Sequence, residues 1–275
     1  MLQYFVDLLK ISLPILYLFT IFLYGLAFFL DEQFGVRNRT RFLVATLCVH
    51  AVYLACRTLL TGHPPVTSVF EIMTVVSFTI AVAYAYIEMR SHEKETGLFI
   101  LSLAFLFEVV SAAFIRDEVH LNPVLKSSVL GIHVGSAMLG YSALAISAVY
   151  GGLYLMMYHE IRTSKFGIVY RKLPDLQTLE KLSYRSIVLG FIFLTIVILV
   201  GYVWLPSAIE NFSYSDPKLV VTDFVWGVYL FELITKKAMR WTGRTVVIVS
   251  IVGFSLTILS MVAVNVFLRS FHNFK

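Results

Sequence analysis

Two histidines lie beside long apolar stretches of the sequence and suggest metal-ligand chemistry. His133 stands at the head of the fifth stretch, and His272 follows the last one, in the closing segment Ser270-Phe271-His272-Asn273-Phe274. Two neutral imidazoles that converge at one membrane face can bind a haem iron from opposite sides. A single outer histidine is more often a hydrogen-bonded interface residue than a ligand, so the proposal depends on the topology of the chain.

The apolar stretches that position these histidines number eight. The sequence is 59% hydrophobic and 14% charged, whereas an average soluble domain has about 25% charged residues. About 20 apolar residues in a helix cross a hydrocarbon core of about 30 Å. The stretches lie near 10–31, 42–61, 67–89, 97–115, 128–157, 184–206, 218–236 and 245–268. We therefore predict an all-α, polytopic membrane helix bundle with eight transmembrane helices, forming a single integral membrane domain over 1–275.

The basic residues predict the orientation of this bundle. Fifteen of the twenty-two lysines and arginines fall in four alternate loops, at 32–41, 90–96, 158–185 and 236–244. Cytoplasmic loops accumulate basic residues, so these loops are predicted to be cytoplasmic and both termini extracytoplasmic. Membrane topology accounts for the net charge of +5, and we expect lipid rather than nucleic acid as a partner.

The predicted outer loop between the sixth and seventh stretches is rich in aromatic residues. Trp204, Phe212 and Tyr214 precede Lys218. Aromatic side chains commonly lie at the headgroup level of a membrane, which is one interpretation. The alternative is a shelf for the flat face of a porphyrin, with Lys218 available to a propionate.

Several ionisable residues lie inside the predicted spans, where they are costly and therefore candidates for function. His50 and Glu108 have matching predicted depths in the second and fourth spans, so we expect that they could pair. Arg57 and Glu71 lie near the outer ends of neighbouring spans, where a contact would neutralise both charges. A structural polar contact and a ligand or proton-relay role remain open for these residues.

The longest polar segment, 158–183, contains a short apolar pattern. Leu176, Leu179 and Leu182 have helical spacing, which predicts a short amphipathic helix on the cytoplasmic surface. Such a helix is either a lipid-facing connector or a docking site for a soluble partner.

The run from Arg57 to Glu71 resembles the Arg-x4-Gly-His-x-Pro-x5-Glu signature of the CcsA-type cytochrome c assembly proteins, with the same spacing throughout. The segment that begins at His133 resembles the histidine helix of that family. Further landmarks follow in collinear order from about 45 to 275: Leu179-Glu180-Lys181-Leu182-Ser183-Tyr184-Arg185, Trp241-x-Gly243 and Phe271-His272.

The resemblance implies a haem site on the outer face, with haem b bound non-covalently and transiently. In the family the outer loop presents haem and the two flanking outer histidines are axial ligands, roles that fall on His133 and His272. His50 corresponds to an early transmembrane histidine of the family. The cofactor-binding set expected from the resemblance is His133, His272, Trp204, Phe212, Tyr214, Asp216, Lys218, His50 and His63.

The chain also departs from the family pattern. Its outer loop is poor in tryptophan, and Ile234 stands where complete members have a second transmembrane histidine. The short length, eight spans and degenerate loop look more like the HemX subgroup, membrane proteins implicated in the control of glutamyl-tRNA reductase.

The function expected from the resemblance is haem handling in cytochrome c assembly at a bacterial inner membrane, with apocytochrome c or an assembly partner receiving the haem. The alternative is a HemX-like regulator of glutamyl-tRNA reductase and tetrapyrrole synthesis. A weaker third interpretation is a transporter or scaffold without a cofactor. The sequence contains no catalytic constellation, so we do not expect catalysis by this chain alone.

Overall fold

The chain folds into helices. The computed structural model describes residues 1–91, 93–116, 128–208, 212–239 and 241–267, and within these ranges it contains α-helices, one 3₁₀ helix and no strand. The helices are α1 (Leu2–Leu30), α2 (Gln33–Thr61), α3 (Val69–Ser91), η1 (Lys94–Thr96), α4 (Gly97–Phe114), α5 (Ser128–Arg162), α6 (Ile168–Lys172), α7 (Leu176–Ala208), α8 (Pro217–Ala238) and α9 (Arg244–Phe267). The predicted all-α class is confirmed.

Each of the eight predicted apolar stretches falls largely within a long helix. Six are long and apolar enough to cross a membrane: α1, α2, α3, α4 with the preceding η1, α5 and α7. The apolar part of α9 found among the described side chains, Arg244–Ser260, is shorter, and α8 carries Asp223 and Glu232. The chain is thus a multi-pass membrane protein, while the number of eight spans and the side of each terminus stay predictions.

The prediction that Leu176, Leu179 and Leu182 form a short amphipathic helix is wrong. Leu176, Leu179 and Leu182 form the first turns of α7, which continues without interruption to Ala208. Leu179 is fully buried, so this part of the helix packs inside the fold instead of lying alone on a surface. At about 1.5 Å rise per residue, the 33 residues of α7 extend about 50 Å, well beyond a hydrocarbon core of about 30 Å.

The chain divides into two compact units, which are described separately. Unit 1 comprises Met1–Val119 and Ser164–Pro174, and unit 2 comprises His120–Thr163 and Asp175–Lys275. In unit 1, α1 to α4 surround buried side chains that include Leu13, Tyr17 and Tyr53. Several buried groups here are polar, among them His50, Arg57, Glu71, Thr74 and Glu108.

Unit 2 contains α5, α7, α8 and α9. Its core comprises Leu144, Ile187, Leu194, Val225 and Tyr229. The small residues of α5 allow close packing against α7: a Cβ built on Gly140 would lie 3.5 Å from the carbonyl oxygen of Gly190. Buried hydroxyls add a hydrogen bond of 2.9 Å between Ser147 and Ser183.

Asp175 caps the start of α7, and we expect Asp175→Ala to lower the free energy of unfolding by about 0.5–2 kcal/mol. Its carboxylate accepts hydrogen bonds from the backbone N–H of Thr178 at 2.9 Å and from its hydroxyl at 3.0 Å. These bonds lower the pKa of Asp175 below the ordinary 3.8. The stabilisation is therefore complete above pH 3.8 and is lost as the pH falls through the lowered value.

The free energy of unfolding of the full chain in micelles, followed by far-UV circular dichroism, tests this prediction. Asp175→Asn is the matched control, because an asparagine also caps a helix but does not titrate in this range. Equal stability of the wild type and Asp175→Ala at neutral pH would contradict the prediction.

Candidate functional site

His133 occupies a close-packed position between α5 and α7 in unit 2. A Cβ atom built on Gly201 would lie 3.2 Å from Cε1 and 3.7 Å from Nδ1 of the imidazole. The ring also interacts with the backbone of Val197 and with the charge of Lys218. Nδ1 is buried and has no hydrogen-bond partner among the described residues. The position of the ring thus depends on the absence of a side chain at Gly201.

The start of α8 brings Lys218 towards this histidine. Asp216 accepts a hydrogen bond from the backbone N–H of Lys218 at 2.9 Å, and Pro217 occupies the first helical turn. Asp216 is buried, and its carboxylate caps the first turn of α8. Asp216, which the resemblance implied to bind the cofactor, fixes the beginning of α8.

The outer-loop aromatics form a cluster with a residue that the sequence analysis missed. The rings of Tyr202 and Tyr214 stack with centroids 5.8 Å apart and an interplanar angle of 21°. Phe212 meets Tyr214 edge to face at 4.8 Å. The hydroxyl of Tyr202 donates to Asp223 on α8. Trp204 lies two residues further along α7 and is partly exposed.

His50 lies in unit 1 and is fully buried within a chain of hydrogen bonds. Nδ1 is 3.0 Å from the hydroxyl of Tyr17, and Nε2 is 3.0 Å from Oγ1 of Thr74. Thr74 donates to Oε2 of Glu108 at 2.8 Å, and Nε2 of His50 lies 3.6 Å from the same oxygen. The predicted closeness of His50 and Glu108 is confirmed.

Arg57 and Glu71 also form the contact expected from the sequence. Oε1 of Glu71 accepts from Nε and from one terminal nitrogen of Arg57, at 3.1 and 2.9 Å. Oε2 accepts from the backbone N–H and the hydroxyl of Thr67, at 2.9 and 2.6 Å. Both charged side chains are 3% exposed. The pair therefore joins the end of α2 to the beginning of α3.

His63 lies in the loop between these helices and is buried. Its Nδ1 is 2.8 Å from the carbonyl oxygen of Pro64, and its own carbonyl oxygen accepts from the hydroxyl of Thr61 at 3.0 Å. These contacts hold the segment Gly62-His63-Pro64-Pro65 of the signature against the end of α2.

The predicted site residues fall into two groups. His133, Trp204, Phe212, Tyr214, Asp216 and Lys218 belong to unit 2, whereas His50 and His63 belong to unit 1. His272 lies outside the described residues. Within unit 2, His133 and Lys218 interact, and Phe212 contacts Tyr214.

His50 and His133 differ in what they offer a metal. An imidazole that binds iron must present a nitrogen free of protons and of competing hydrogen bonds. Both nitrogens of His50 are engaged. Nδ1 of His133 has no partner among the described residues, so the chemistry of an iron ligand fits His133 better than His50 as these side chains are placed.

Comparison with known proteins points to one family. The sequence profile of the family described as "Cytochrome C assembly protein" matches residues 16–272, beginning earlier than the residue near 45 expected above. Cytochrome c biogenesis protein CcsA of Trieres chinensis is 26% identical, over 94% of this chain and 93% of its own length. CcsA of Prochlorococcus marinus strain MIT 9312 is 30% identical over 75% and 74%, and CcsA of Guillardia theta is 26% identical over 81% and 80%.

Proposed function

Because this chain belongs to the cytochrome c assembly protein family, we propose that it handles haem during cytochrome c assembly and presents it at the outer face of the membrane. Haem is the cargo, and apocytochrome c or an assembly partner receives it. In this proposal His133 and His272 are the axial ligands of the iron. We also propose eight membrane spans with both termini extracytoplasmic, in a bacterial inner membrane, as the distribution of basic residues suggests.

The proposal rests on the surroundings of the His133 ring. The ring has a buried nitrogen without a partner among the described residues, next to a glycine that leaves room for the imidazole. A buried polar atom without a hydrogen bond is costly and calls for an explanation. Ligation of a metal is one function that uses such a nitrogen.

The groups near His133 suit the remaining parts of a haem. Lys218 lies close enough to interact with the histidine, and a lysine at this position can neutralise a propionate. Phe212 and Tyr214 present aromatic surface beside the start of α8, which suits the apolar macrocycle. We leave His50 out of the ligand set, since iron could bind it only after one of its two hydrogen bonds is broken.

The absorbance spectrum of the purified full chain tests the proposal. We expect a Soret band in the wild type and its loss in His133→Ala, because the iron loses a ligand. His159→Ala is the matched control: it removes a histidine from the exposed opposite end of the same helix and should leave the band unchanged. A band that survives in His133→Ala would remove this residue from the site.

Co-purification from membranes tests the role of the bound haem. Recovery of an apocytochrome c or of other assembly components is the expected result. Recovery of glutamyl-tRNA reductase instead would favour the regulatory function that the HemX-like length and outer loop suggest. The curated relatives compared above are all cytochrome c biogenesis proteins by name, so assembly is our first candidate.

A further inference from the structure

A cavity at the start of α7 in unit 2 has no part in the haem proposal. Its volume is about 850 Å³, within the range of ligand pockets in proteins. Residues of α5, the first turns of α7, the end of α8 and the loop before α9 line it. Two motifs that the sequence analysis singled out meet here: Leu179 to Arg185, and Trp241-x-Gly243.

Glu180 organises the wall of this cavity. Its Oε1 accepts from Nζ of Lys236 at 2.5 Å, and its Oε2 accepts from the backbone N–H of Gly243 at 2.9 Å. Gly243 has a φ of +64°, and a Cβ there would lie 2.7 Å from the hydroxyl of Tyr154. A glycine is therefore required for this wall to form. One carboxylate thus joins α7, α8 and the loop that follows α8.

Among the described residues that line the cavity, the positive charges of Lys181 and Lys236 outnumber the negative charge of Glu180. Glu180 is the only carboxylate among these described residues, and both of its oxygens already have donors. Lys181 and Thr242 also line the cavity, and within the described part of the chain their side chains have no hydrogen-bond acceptor. Nζ of Lys236 lies 4.6 Å from the ring centre of Tyr184. The uncommitted donors and the positive charge favour an anion.

The length of α7 indicates where the cavity lies along the membrane normal. A helix of about 50 Å exceeds the hydrocarbon core by about 20 Å, and the residues that line the cavity come from the first turns of α7. Those turns reach the headgroup layer if the apolar part of the helix fills the core. Tyr154 and Tyr184 add the aromatic surface that is common at this level.

We propose that this cavity binds the phosphate of an anionic phospholipid headgroup, with Lys181 and Lys236 as its cationic contacts. Basic pockets between membrane helices on the cytoplasmic side commonly take such headgroups. The basic residues that surround the cavity belong to the loops predicted to be cytoplasmic. The proposal is independent of haem binding.

Native mass spectrometry of the full chain in detergent, titrated with phosphatidylglycerol or phosphatidylcholine, tests the proposal. We expect the wild type to retain phosphatidylglycerol more strongly. Lys181→Gln should weaken its binding about fivefold, as expected for one lysine near an anionic surface. Thr242→Trp, which fills the cavity without changing its charge, should also weaken binding. Circular dichroism and the elution volume verify that each variant is folded.

Lys237→Gln is the matched control, because Lys237 is adjacent to Lys236 on α8 but does not line the cavity. It should bind phosphatidylglycerol as the wild type does. Equal binding of the two lipids, or an equal loss in Lys181→Gln and Lys237→Gln, would overturn the proposal in favour of a diffuse surface attraction. Displacement of phosphatidylglycerol by inorganic phosphate would overturn it in favour of a soluble ligand.

Discussion

Gly201→Val should reduce the affinity of the protein for haem by about 10- to 100-fold, the range observed when groups that orient a metal ligand are lost. A Cβ added at this position would lie 3.2 Å from Cε1 of His133, and the branched side chain of valine brings two more carbon atoms into the same space. The imidazole must therefore move. The measurement is a haem titration of the full chain followed through the Soret absorbance.

Gly135→Val provides the matched control for this experiment. Gly135 lies two residues from His133 on α5, and a Cβ there has no atom within 4 Å among the described residues. The same substitution should leave haem affinity close to that of the wild type. Normal haem binding by Gly201→Val, or an equal loss in Gly201→Val and Gly135→Val, would contradict a specific role for the contact between Gly201 and His133.

Arg57→Met should lower the free energy of unfolding by about 3–5 kcal/mol, the usual cost of leaving one member of a buried ion pair without its partner. Oε1 of Glu71 would lose both of its donors, although Thr67 would still donate to Oε2. Denaturation by sodium dodecyl sulfate in mixed micelles, followed by far-UV circular dichroism, measures the change.

Two further variants test whether the loss arises from the buried pair of Arg57 and Glu71. Arg57→Met combined with Glu71→Gln should recover part of the loss, because the buried charge is then removed together with its partner. Lys10→Met breaks a surface pair whose side chains are 28% and 45% exposed, and it should cost less than about 1 kcal/mol. A similar loss in Lys10→Met and Arg57→Met would show that burial of the Arg57–Glu71 pair does not matter.

Two polar contacts of unit 1 could be predicted because charged residues are rare inside apolar helices. Each charged or titratable residue there needs a partner at the same depth, and the helix boundaries fix that depth. His50 with Glu108, and Arg57 with Glu71, were found by this reasoning. The hydroxyls of Tyr17 and Thr74 were not, because tyrosine and threonine are common in apolar helices and do not by themselves mark a site.

The face that a helix turns towards its neighbours was harder to predict. Ile234, at the position where the family resemblance led us to expect a histidine, is 53% exposed, so this position points away from the interior of unit 2. Glu232, two residues earlier, is 1% exposed and accepts from Ser250 at 2.6 Å. The sequence of α8 has polar residues on more than one side, so its pattern does not define a single buried face.

The start of α7 and the aromatic partner of Tyr214 were also not predicted from the sequence. The polar residues between Leu176 and Arg185 suggested a boundary near 184, but a capped helix continues through them, with Leu179 buried in its first turns. Tyr202 meets Tyr214 across a loop, and its hydroxyl reaches Asp223 on the next helix. Contacts of this kind depend on how helices are placed, which residue spacing alone does not reveal.

The hydrogen bonds around His50 also determine which nitrogen of its ring carries the proton. Thr74 has a single hydroxyl proton, which it donates to Glu108, so its oxygen accepts from Nε2 of His50. Nδ1 is then the acceptor for the hydroxyl of Tyr17. The neutral ring is therefore fixed as the Nε2–H tautomer, which its ¹⁵N chemical shifts would reveal.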